Sequence, residues 1–504
     1  MRKYLNGLLL VVLLCLGISV ALAQVNDKSG FVIKENTLQV FSFNNIVADY
    51  SIDTIGGYFT IKVSDDYSVL HNYGSPSLPV VQKIIAIPEG SRVEVEVYAD
   101  LVEEYSLVEQ GVYQQMYPIQ PSQFKNAYNN KWYINDKIYT NNSYYCNELV
   151  DINYMGVMRG MQLIRLTVSP FEYNPVSNKL KIHNYVSADV KITGIDRDKL
   201  VYNLQSMSTP YSTMMLRSVA NSKAYSNVLM SFVDVPIKYV VVARDSFREA
   251  LQPFVQWKTQ QGYQVVEYYP HYSANRDTIR AKLSDMYHSS TPLNPAPTFL
   301  LIVGDVEHIH SFIGRYTIPG GATHATDLYY AEYTGDIYPE LLFGRMSVSN
   351  VSQLQDVINK TIEYEKYNMK DKIKLSNALL VAGKETRDPA PTVTNGQLNY
   401  LKSIVVDYFD MDTICYYNGT SHTQKEDILS QLSLIPGFVT YSGHCTAAGW
   451  SSPYITATDV DTFSTEGAYS FVVNNCCKSS NFTSGVCFGE ALLRKPNAGA
   501  IGVI

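Results

Sequence analysis

A continuous apolar segment, Ile237-Lys-Tyr-Val-Val-Val-Ala243, stands at the start of the C-terminal half of the chain. Apolar side chains recur with helical spacing over residues 247–261, and apolar segments then alternate with helical ones. Three later apolar segments are Ala378-Leu-Leu-Val-Ala382, Phe438-Val-Thr-Tyr441 and Tyr469-Ser-Phe-Val-Val473. Such strands, alternating with helices, indicate a mostly parallel sheet covered by helices on both faces. We therefore predict an α/β domain over residues 235–504.

The chain upstream of this domain has the pattern of short strands and turns. Segments such as Arg92-Val-Glu-Val-Glu-Val97 and Leu163-Ile-Arg-Leu-Thr-Val168 alternate or are β-branched, and Gly, Pro, Asn and Asp separate them. We predict an antiparallel β-sandwich over residues 24–196. Residues 197–234 lose regular pattern, which predicts a linker with Arg217 and Lys223 as exposed sites for a processing protease.

The N-terminus has the features of an export signal. Arg2 and Lys3 precede an apolar run that ends in the small-residue cleavage site Ala21-Leu-Ala23, so we predict that residues 1–23 are a signal peptide. The protein would then be secreted or exposed at the cell surface; an uncleaved membrane anchor is the alternative. No later segment is long and apolar enough to predict a transmembrane helix.

The composition of the 504 residues is that of a globular protein. Hydrophobic residues make up 46%, charged residues 17%, and the net charge is −7. This mildly acidic balance offers no basic patch for nucleic acid. Of seven cysteines, Cys15 lies in the predicted signal and the last four crowd near the C-terminus. Their crowding suggests chemistry or one local disulfide bridge, not a disulfide framework.

Three candidate catalytic residues each follow one of the apolar strands, and the carboxyl ends of parallel strands meet at one edge of a sheet. Cys477 would supply a thiol nucleophile, and His444 a base whose pKa lies near working pH. Gly443 lets the backbone turn so that the imidazole projects. The backbone N–H groups of Cys445 and Cys477 would form an oxyanion hole, and Glu385 would orient the imidazole. This chemistry requires no cofactor.

Each of these residues also has a plainer interpretation. A buried cysteine is usually an inert small hydrophobe, and a histidine after a strand is often a turn or core residue. Glu385 is as plausibly a solvated loop carboxylate or a charge at a helix N-terminus. Cys445, Cys476 and Cys477 with His444 would also suit a metal cluster, although adjacent cysteines are poor tetrahedral ligands.

Two weaker motifs contain candidate metal ligands. Residues 326–340 form an acidic loop in which Asp327, Asp336 and Glu340 would hold a structural calcium ion through their oxygens; a hydrated loop is the alternative. His308 and His310 form a second pair, and because no third ligand lies nearby in sequence we interpret them as structural.

The residues around the candidate pair resemble those of the gingipains, secreted cysteine peptidases of the caspase-like clan. The block Tyr441-Ser-Gly-His-Cys-Thr-Ala-Ala-Gly-Trp450 is similar to their histidine motif. Asn475-Cys-Cys-Lys-Ser-Ser-Asn-Phe482 is similar to their nucleophile motif, in which the second cysteine attacks. Further matches, some nearer the lysine-specific branch, are Phe254-Val-Gln-Trp-Lys258, Leu301-Ile-Val-Gly-Asp305, Thr326-Asp-Leu-Tyr-Tyr330, Gly344-Arg-Met346 and Tyr364-Glu-Lys366.

The resemblance implies a caspase-hemoglobinase α/β fold and a zymogen of a cysteine endopeptidase. The enzyme would act on protein substrates, with cleavage after basic residues as one option, and the β-sandwich would be a removable, inhibitory propeptide. The resemblance makes Cys477 the nucleophile, His444 the base and Glu385 the third, acidic member. It places Ser442, where the family has threonine, at the mouth of the specificity pocket, with Gly443 beside it.

Two departures from the family bear on these expectations. Cys445 stands where the family has glycine after the catalytic histidine, and its Cβ would strain a turn that glycine makes freely. The chain stops at Ile504 inside an apolar strand, where gingipains continue, so we expect the sequence to be C-terminally truncated. A catalytically inactive homologue that acts as a surface adhesin or binding module is therefore the alternative.

Overall fold

The chain forms two compact units. A computed structural model describes residues 30–504 except 48, 65, 122–131, 230–235, 292, 315–322, 385–389, 418–424, 464–465 and 484, so the predicted signal peptide lies outside the described residues. The first unit comprises the chain up to Met207 together with Tyr211–Val233, and the second comprises Ser208–Pro210 and Asp234–Ile504. The main boundary therefore falls where the change in sequence pattern predicts it.

The first unit is built from antiparallel sheets. One sheet has the order β1-β2-β11-β10 with β7 also paired to β11, a second has the order β5-β6-β9-β8, and β3 and β4 form a hairpin. The strands are β1 (Gly30–Asn36), β2 (Val40–Ile46), β3 (Ser51–Ile55), β4 (Tyr58–Lys62), β5 (Tyr67–Val69), β6 (Pro79–Pro88), β7 (Arg92–Ser106), β8 (Val150–Met158), β9 (Met161–Val168), β10 (Phe171–Asn174) and β11 (Lys179–Thr193), with the short helix α1 (Asp136–Tyr139) before β8.

The two larger sheets of the first unit share one hydrophobic core. Buried residues alternate along β11, as expected of a strand with one face inward. Val186 and Val190 of β11 and Phe43 of β2 pack in the same cluster as Val81 of β6 and Ile164 of β9. Two antiparallel sheets that pack face to face confirm the predicted β-sandwich.

The segment predicted to be an irregular linker is instead helical. It forms α2 (Arg197–Gln205), α3 (Thr209–Ser218) and α4 (Ser222–Leu229). The buried Asn221 side chain accepts from the N–H of Ala86 at 2.9 Å and donates to its carbonyl at 2.6 Å, and the Tyr225 hydroxyl donates to that carbonyl at 2.9 Å. These bonds fasten the segment to β6. The prediction of irregular structure is therefore wrong, because most of the segment is helical. These helices belong mainly to the first unit.

The second unit contains two parallel sheets where the sequence predicted one. The first has the order β13-β12-β14-β17 and the second the order β19-β18-β20-β24-β25. The strands are β12 (Lys238–Val242), β13 (Gln264–Tyr268), β14 (Phe299–Val303), β15 (Phe312–Ile313), β16 (Ala325–Thr326), β17 (Leu342–Met346), β18 (Asn377–Ala382), β19 (Asp412–Tyr416), β20 (Phe438–Ser442), β21 (Cys445–Thr446), β22 (Gly449–Ser451), β23 (Tyr454–Thr456), β24 (Ser470–Asn475) and β25 (Ala500–Val503).

Helices cover both faces of these sheets. They are α5 (Arg248–Gln260), α6 (Arg276–His288), α7 (Val351–Glu365), α8 (Ala390–Asp407), α9 (Lys425–Ser433), α10 (Ala457–Val460) and α11 (Phe488–Arg494). In the first sheet, Val241 packs with α5 and α7, whereas its neighbour Val240 packs with α6. In the second sheet, Val381 packs with α9 and α11, whereas Leu380 packs with α8. The predicted α/β architecture is thus confirmed.

Ion pairs between different elements involve several of the motif residues outside the candidate site. Arg494 of α11 contacts Asp305, which follows β14, at 3.0 Å, and it contacts Glu490 at 2.6 Å. Lys258 of α5 contacts Glu365 of α7 at 2.7 Å. Arg494 and Glu490 are buried, so removal of either one would leave an uncompensated charge away from water, whereas Glu365 is exposed.

Candidate active site

The strands that lead to the candidate residues are neighbours in the second parallel sheet. β20 lies between β18 and β24, and the last ladder partners are Ala382, Ser442 and Asn475. His444 lies two residues beyond Ser442, and Cys477 lies two residues beyond Asn475. Because parallel strands end at the same edge, both loops open there, as the sequence predicts.

A disulfide joins the two loops immediately beside the candidate pair. Cys445, which follows His444, is bonded to Cys476, which precedes Cys477, with a Cα–Cα distance of 5.4 Å. The local bridge that the cysteine crowding suggested is therefore present. A metal cluster of these thiols is excluded, since a disulfide sulfur is not a thiolate ligand.

Cys477 differs from the other cysteines of the second unit in being an exposed free thiol. Cys487 is 1% exposed, and burial raises the pKa of its thiol to about 12, so it stays protonated. Cys415 is partly buried beside the core at β18 and β19. His444 is half-buried at the same edge as Cys477. The arrangement therefore places an accessible thiol and an imidazole on two loops that leave neighbouring strands.

The Tyr441 hydroxyl anchors the loop that carries His444. It lies 3.1 Å from the carbonyl oxygens of both His444 and Ser452. An added Cβ at Gly443 would lie 2.6 Å from this hydroxyl oxygen, and one at Gly383 would lie 2.3 Å from it. Gly443 is therefore required for close packing against Tyr441, a reason that differs from its predicted place in a substrate pocket.

Trp450 and Asn474 complete the support for this loop. The Trp450 ring stacks on Tyr441 with centroids 4.4 Å apart, and its indole N–H donates to Asn474 Oδ1 at 2.9 Å. Cys445 pairs with Trp450 between β21 and β22. The sequence analysis assigned no role to these residues, although Tyr441 and Trp450 bound the histidine motif.

Ser442, Asn475 and Gln397 form a polar group at the same strand ends. Ser442 is 2% exposed, its hydroxyl donates to Gln397 Oε1, and Asn475 Nδ2 donates to Ser442 Oγ at 3.1 Å. The place of Ser442 beside both loops agrees with its predicted position at a specificity pocket, while the pocket role itself stays a prediction. Gln397 and Asn475 were missed by the sequence analysis.

The chain turns sharply directly after Cys477. Lys478 has φ of 62°, a left-handed conformation that non-glycine residues adopt at a cost. The N–H of Asn481 donates to the Lys478 carbonyl at 3.0 Å, and the N–H of Gly489 donates to that of Ser479 at 3.0 Å. The turn separates Cys477 from α11 and leaves its side chain at the surface. The predicted oxyanion role of the Cys445 and Cys477 amides stays a prediction.

Glu385 lies outside the described residues, so its predicted role is not tested. β18, which leads towards it, ends at Ala382, and the N–H of Gly383 donates to the Ser442 carbonyl at 2.7 Å.

The predicted calcium ligands are not brought together as a set of three. Asp327 forms a two-pronged ion pair with Arg345, with both distances 2.7 Å. Asp336 accepts from the N–H of Tyr338 at 2.6 Å, and buried Glu340 accepts from that of Tyr333 at 2.7 Å. Within the described parts of the chain, no group of three or more His, Cys, Asp or Glu residues is arranged to hold a metal. A structural calcium ion in this loop stays a prediction.

The His308 and His310 pair fits its structural interpretation. His308 packs against Phe247 with ring centroids 4.8 Å apart, and burial lowers the pKa of its imidazole. The carbonyl of His310 accepts from the Tyr330 hydroxyl at 2.6 Å.

The site lies in a region that matches a known family. Residues 233–504 match the model of peptidase family C25, and residues 44–206 match that of the C25 propeptide. The chain belongs to peptidase family C25. The match covers more than half of the chain, so the fold predicted from the resemblance and the propeptide upstream of it are both confirmed.

Curated C25 relatives include gingipains of both specificities. Lys-gingipain HG66 from Porphyromonas gingivalis is 30% identical over 476 residues, which cover 92% of this chain and 27% of the relative. Gingipain R1 from the same organism is 23% identical over 443 residues, which cover 85% of this chain and 42% of the relative. The predicted likeness to the lysine-specific branch is confirmed, and the chain spans about a quarter of the length of the Lys-gingipain.

Two solved structures are similar to part of the chain. One described as "Structure of Protease" has a TM-score of 0.48 and 29% identity, covering 54% of this chain and 60% of its own. The Arg-specific cysteine proteinase gingipain R has a TM-score of 0.46 and 21% identity, covering 53% of this chain and 62% of its own.

Among the helices of the described residues, none is long and apolar enough to cross a membrane.

Proposed function

We propose that this C25 chain is the precursor of a secreted cysteine endopeptidase in which Cys477 is the nucleophile and His444 the base. The observation that carries the proposal is the exposed free thiol of Cys477 and the half-buried imidazole of His444 on two loops that leave adjacent strands and are joined by the Cys445–Cys476 disulfide. The other described cysteines of the second unit are buried, partly buried or disulfide-bonded. An exported thiol with a neighbouring base suits nucleophilic attack on a peptide carbonyl.

The reaction would proceed through an acyl-enzyme. The Cys477 thiol transfers its proton to His444 and its sulfur attacks the scissile carbonyl; the imidazolium then protonates the leaving amine. Water, deprotonated by His444, cleaves the thioester and restores the thiol. Backbone N–H groups of Cys445 and Cys477 would stabilise the oxyanion, and Glu385 would orient the imidazole.

The substrate class follows from the relatives and from the polar strand ends. We propose cleavage of proteins after lysine, because the more similar relatives are named Lys-gingipains. Asn475, which is exposed, would contribute an oxygen acceptor to the pocket for the lysine side chain, and the buried Ser442 hydroxyl would hold the Asn475 amide in place.

The first unit would act as an inhibitory propeptide that is cleaved off. Residues 44–206 match the C25 propeptide, and inhibition would protect the producing cell until export. Arg217 and Lys223 are both exposed, although each lies in a helix, which must open before a protease can cut there.

The test is covalent labelling with a peptidyl chloromethylketone that carries lysine at P1. We expect the label on Cys477, no label in Cys477→Ala, and slower labelling in His444→Ala, since a base contributes roughly 10²–10⁴-fold in rate. Cys146→Ala, which removes an exposed thiol of the first unit, is the matched control. Labelling should accelerate after limited proteolysis removes the first unit.

The same experiment addresses the alternative of an inactive surface-binding homologue. That alternative predicts no label at Cys477 before or after the first unit is removed. A label at Cys477 that is insensitive to His444→Ala would contradict the assigned base. If removal of the first unit left the labelling rate unchanged, the inhibitory role would be wrong.

A further inference from the structure

The disulfide between Cys445 and Cys476 brackets the proposed catalytic pair. Cys445 is the residue after His444, and Cys476 is the residue before Cys477. The bond closes a sequence separation of 31 residues, yet it lies one residue from each reacting side chain. A disulfide that only stabilised the domain would not need to lie next to both His444 and Cys477.

We propose that this disulfide is a positioning element of the active site, which fixes the positions of His444 and Cys477 relative to each other. The proposal rests on the proposed function, because it assigns to Cys445 and Cys476 an effect that acts through the catalytic pair. A consequence is that reduction of this bond disables the enzyme, although its nucleophile must itself stay reduced.

The geometry shows why a covalent link matters at this place. The ladder between β20 and β24 ends at Ser442 and Asn475, before either catalytic residue. Beyond it, the N–H of Gly443 donates to the Asn475 carbonyl at 3.3 Å, which is long for such a bond. Lys478, with φ of 62°, turns the chain away directly after Cys477. The disulfide therefore bridges the loops past the end of the regular ladder.

Proton sharing between a thiol and an imidazole is sensitive to such positioning. A thiolate–imidazolium pair keeps the cysteine reactive well below the pKa of about 8.5 of an ordinary thiol. This depends on direct contact, and a misplacement of about 1 Å can reduce rates by about 10²-fold. Cys445 also replaces the glycine of the family motif, so this chain has a link there that glycine cannot form.

Reduction of the bond is a two-electron reaction with a defined partner. A dithiol attacks one sulfur, is oxidised to its cyclic disulfide, and leaves thiols on Cys445 and Cys476. Cys476 is half-buried whereas Cys445 is 8% exposed, so the Cys476 sulfur is the accessible point of attack. The freed Cys445 thiol would then lie beside His444, and the freed Cys476 thiol beside Cys477.

The experiment measures the rate of Cys477 alkylation by iodoacetamide against pH, in the full chain, with peptide mapping by mass spectrometry. Wild type is compared with the double variant Cys445→Ala/Cys476→Ala and with wild type in which a dithiol has reduced the bond. Cys146→Ala is the control for the loss of an exposed thiol elsewhere. Thermal unfolding of each sample shows that it is folded at the assay temperature.

We expect wild type and Cys146→Ala to share one rate–pH profile for alkylation at Cys477. In the double variant and in the reduced protein, alkylation of Cys477 at the same pH should be slower by about tenfold or more, because the two loops are no longer held together. The reduced wild type supplies this result even where the double variant does not fold.

Two outcomes separate the failure of this inference from the failure of the proposed function. A folded double variant or reduced protein with the wild-type pH profile overturns the positioning role, even if its melting temperature is lower, because the bond would then be purely stabilising. Wild-type Cys477 that takes no chloromethylketone label overturns the proposed function, and the inference with it.

Discussion

Replacement of Tyr441 by phenylalanine tests the support of the loop that carries His444. The Tyr441 side chain is fully buried, and its hydroxyl lies 3.1 Å from the carbonyl oxygens of His444 and Ser452. Phenylalanine keeps the ring that stacks on Trp450 and removes only the hydroxyl. The substitution therefore isolates the hydrogen bonds from the packing.

The expected loss of unfolding free energy follows from the hydrogen bonds that the two carbonyl oxygens lose. The His444 carbonyl keeps the bond that it accepts from the N–H of Ser451 at 2.8 Å, so the loss falls mainly on Ser452. One buried hydrogen bond with an acceptor left unsatisfied amounts to about 1–3 kcal/mol. At about 2 kcal/mol, the melting temperature of a domain of this size should fall by about 4–8 °C.

Calorimetry and the labelling rate of Cys477 measure the two consequences. We expect a lower melting transition for the second unit, and labelling slowed by about tenfold because the imidazole is held less firmly. Tyr454→Phe is the matched control, since Tyr454 is 62% exposed. If Tyr441→Phe matched this control in both measurements, the anchoring role of the hydroxyl would be refuted.

Three further predictions concern other parts of the chain. Lys360→Met should lower the free energy of unfolding by about 3–5 kcal/mol, because the Lys360 ammonium lies 2.6–3.3 Å from four carbonyl oxygens that would lose a donor. Chemical denaturation measures this, with exposed Lys402→Met as the control, and equal losses in the two variants would contradict it. Asn221→Ala should destabilise the first unit by about 2 kcal/mol, since the N–H and the carbonyl of Ala86 each lose a hydrogen-bond partner. Limited proteolysis measures this, and unchanged resistance of α2–α4 to cleavage would count against it. Glu385→Gln should slow turnover less than His444→Ala, because an orienting carboxylate acts only through the imidazole. Wild-type turnover rates of this variant across the pH range would show that Glu385 has no role in the reaction.

Much of the candidate site could be read from local sequence. Cys477 and His444 follow apolar segments directly, and the rule that parallel strands end at one edge is enough to bring their loops together. Glu385 was predicted by the same reasoning, and it stays a prediction. The roles of Tyr441 and Trp450 could not be derived in this way, because a stacking contact depends on how the turn of the loop returns the chain.

The linker shows where local reading failed although a signal was present. Leu200, Leu204, Tyr211 and Met215 recur at close to helical spacing and are buried. The Ser- and Asn-rich residues between them obscured this period. The ion pair of Asp327 could not be predicted from the sequence for a different reason. A carboxylate suits calcium or arginine equally well, and only the fold brings Arg345 to Asp327.

The sequence by itself determined the order and kind of the two units, because the periods of 2 and 3.6 are properties of near neighbours along the chain. It also determined the chemistry offered at the strand ends, since residue type and strand polarity suffice for that. Only the tertiary structure decided that the α/β unit has two sheets and that residues 197–229 pack as helices. It alone decided that Cys445 bonds to Cys476, because a disulfide depends on the spatial approach of residues far apart in sequence.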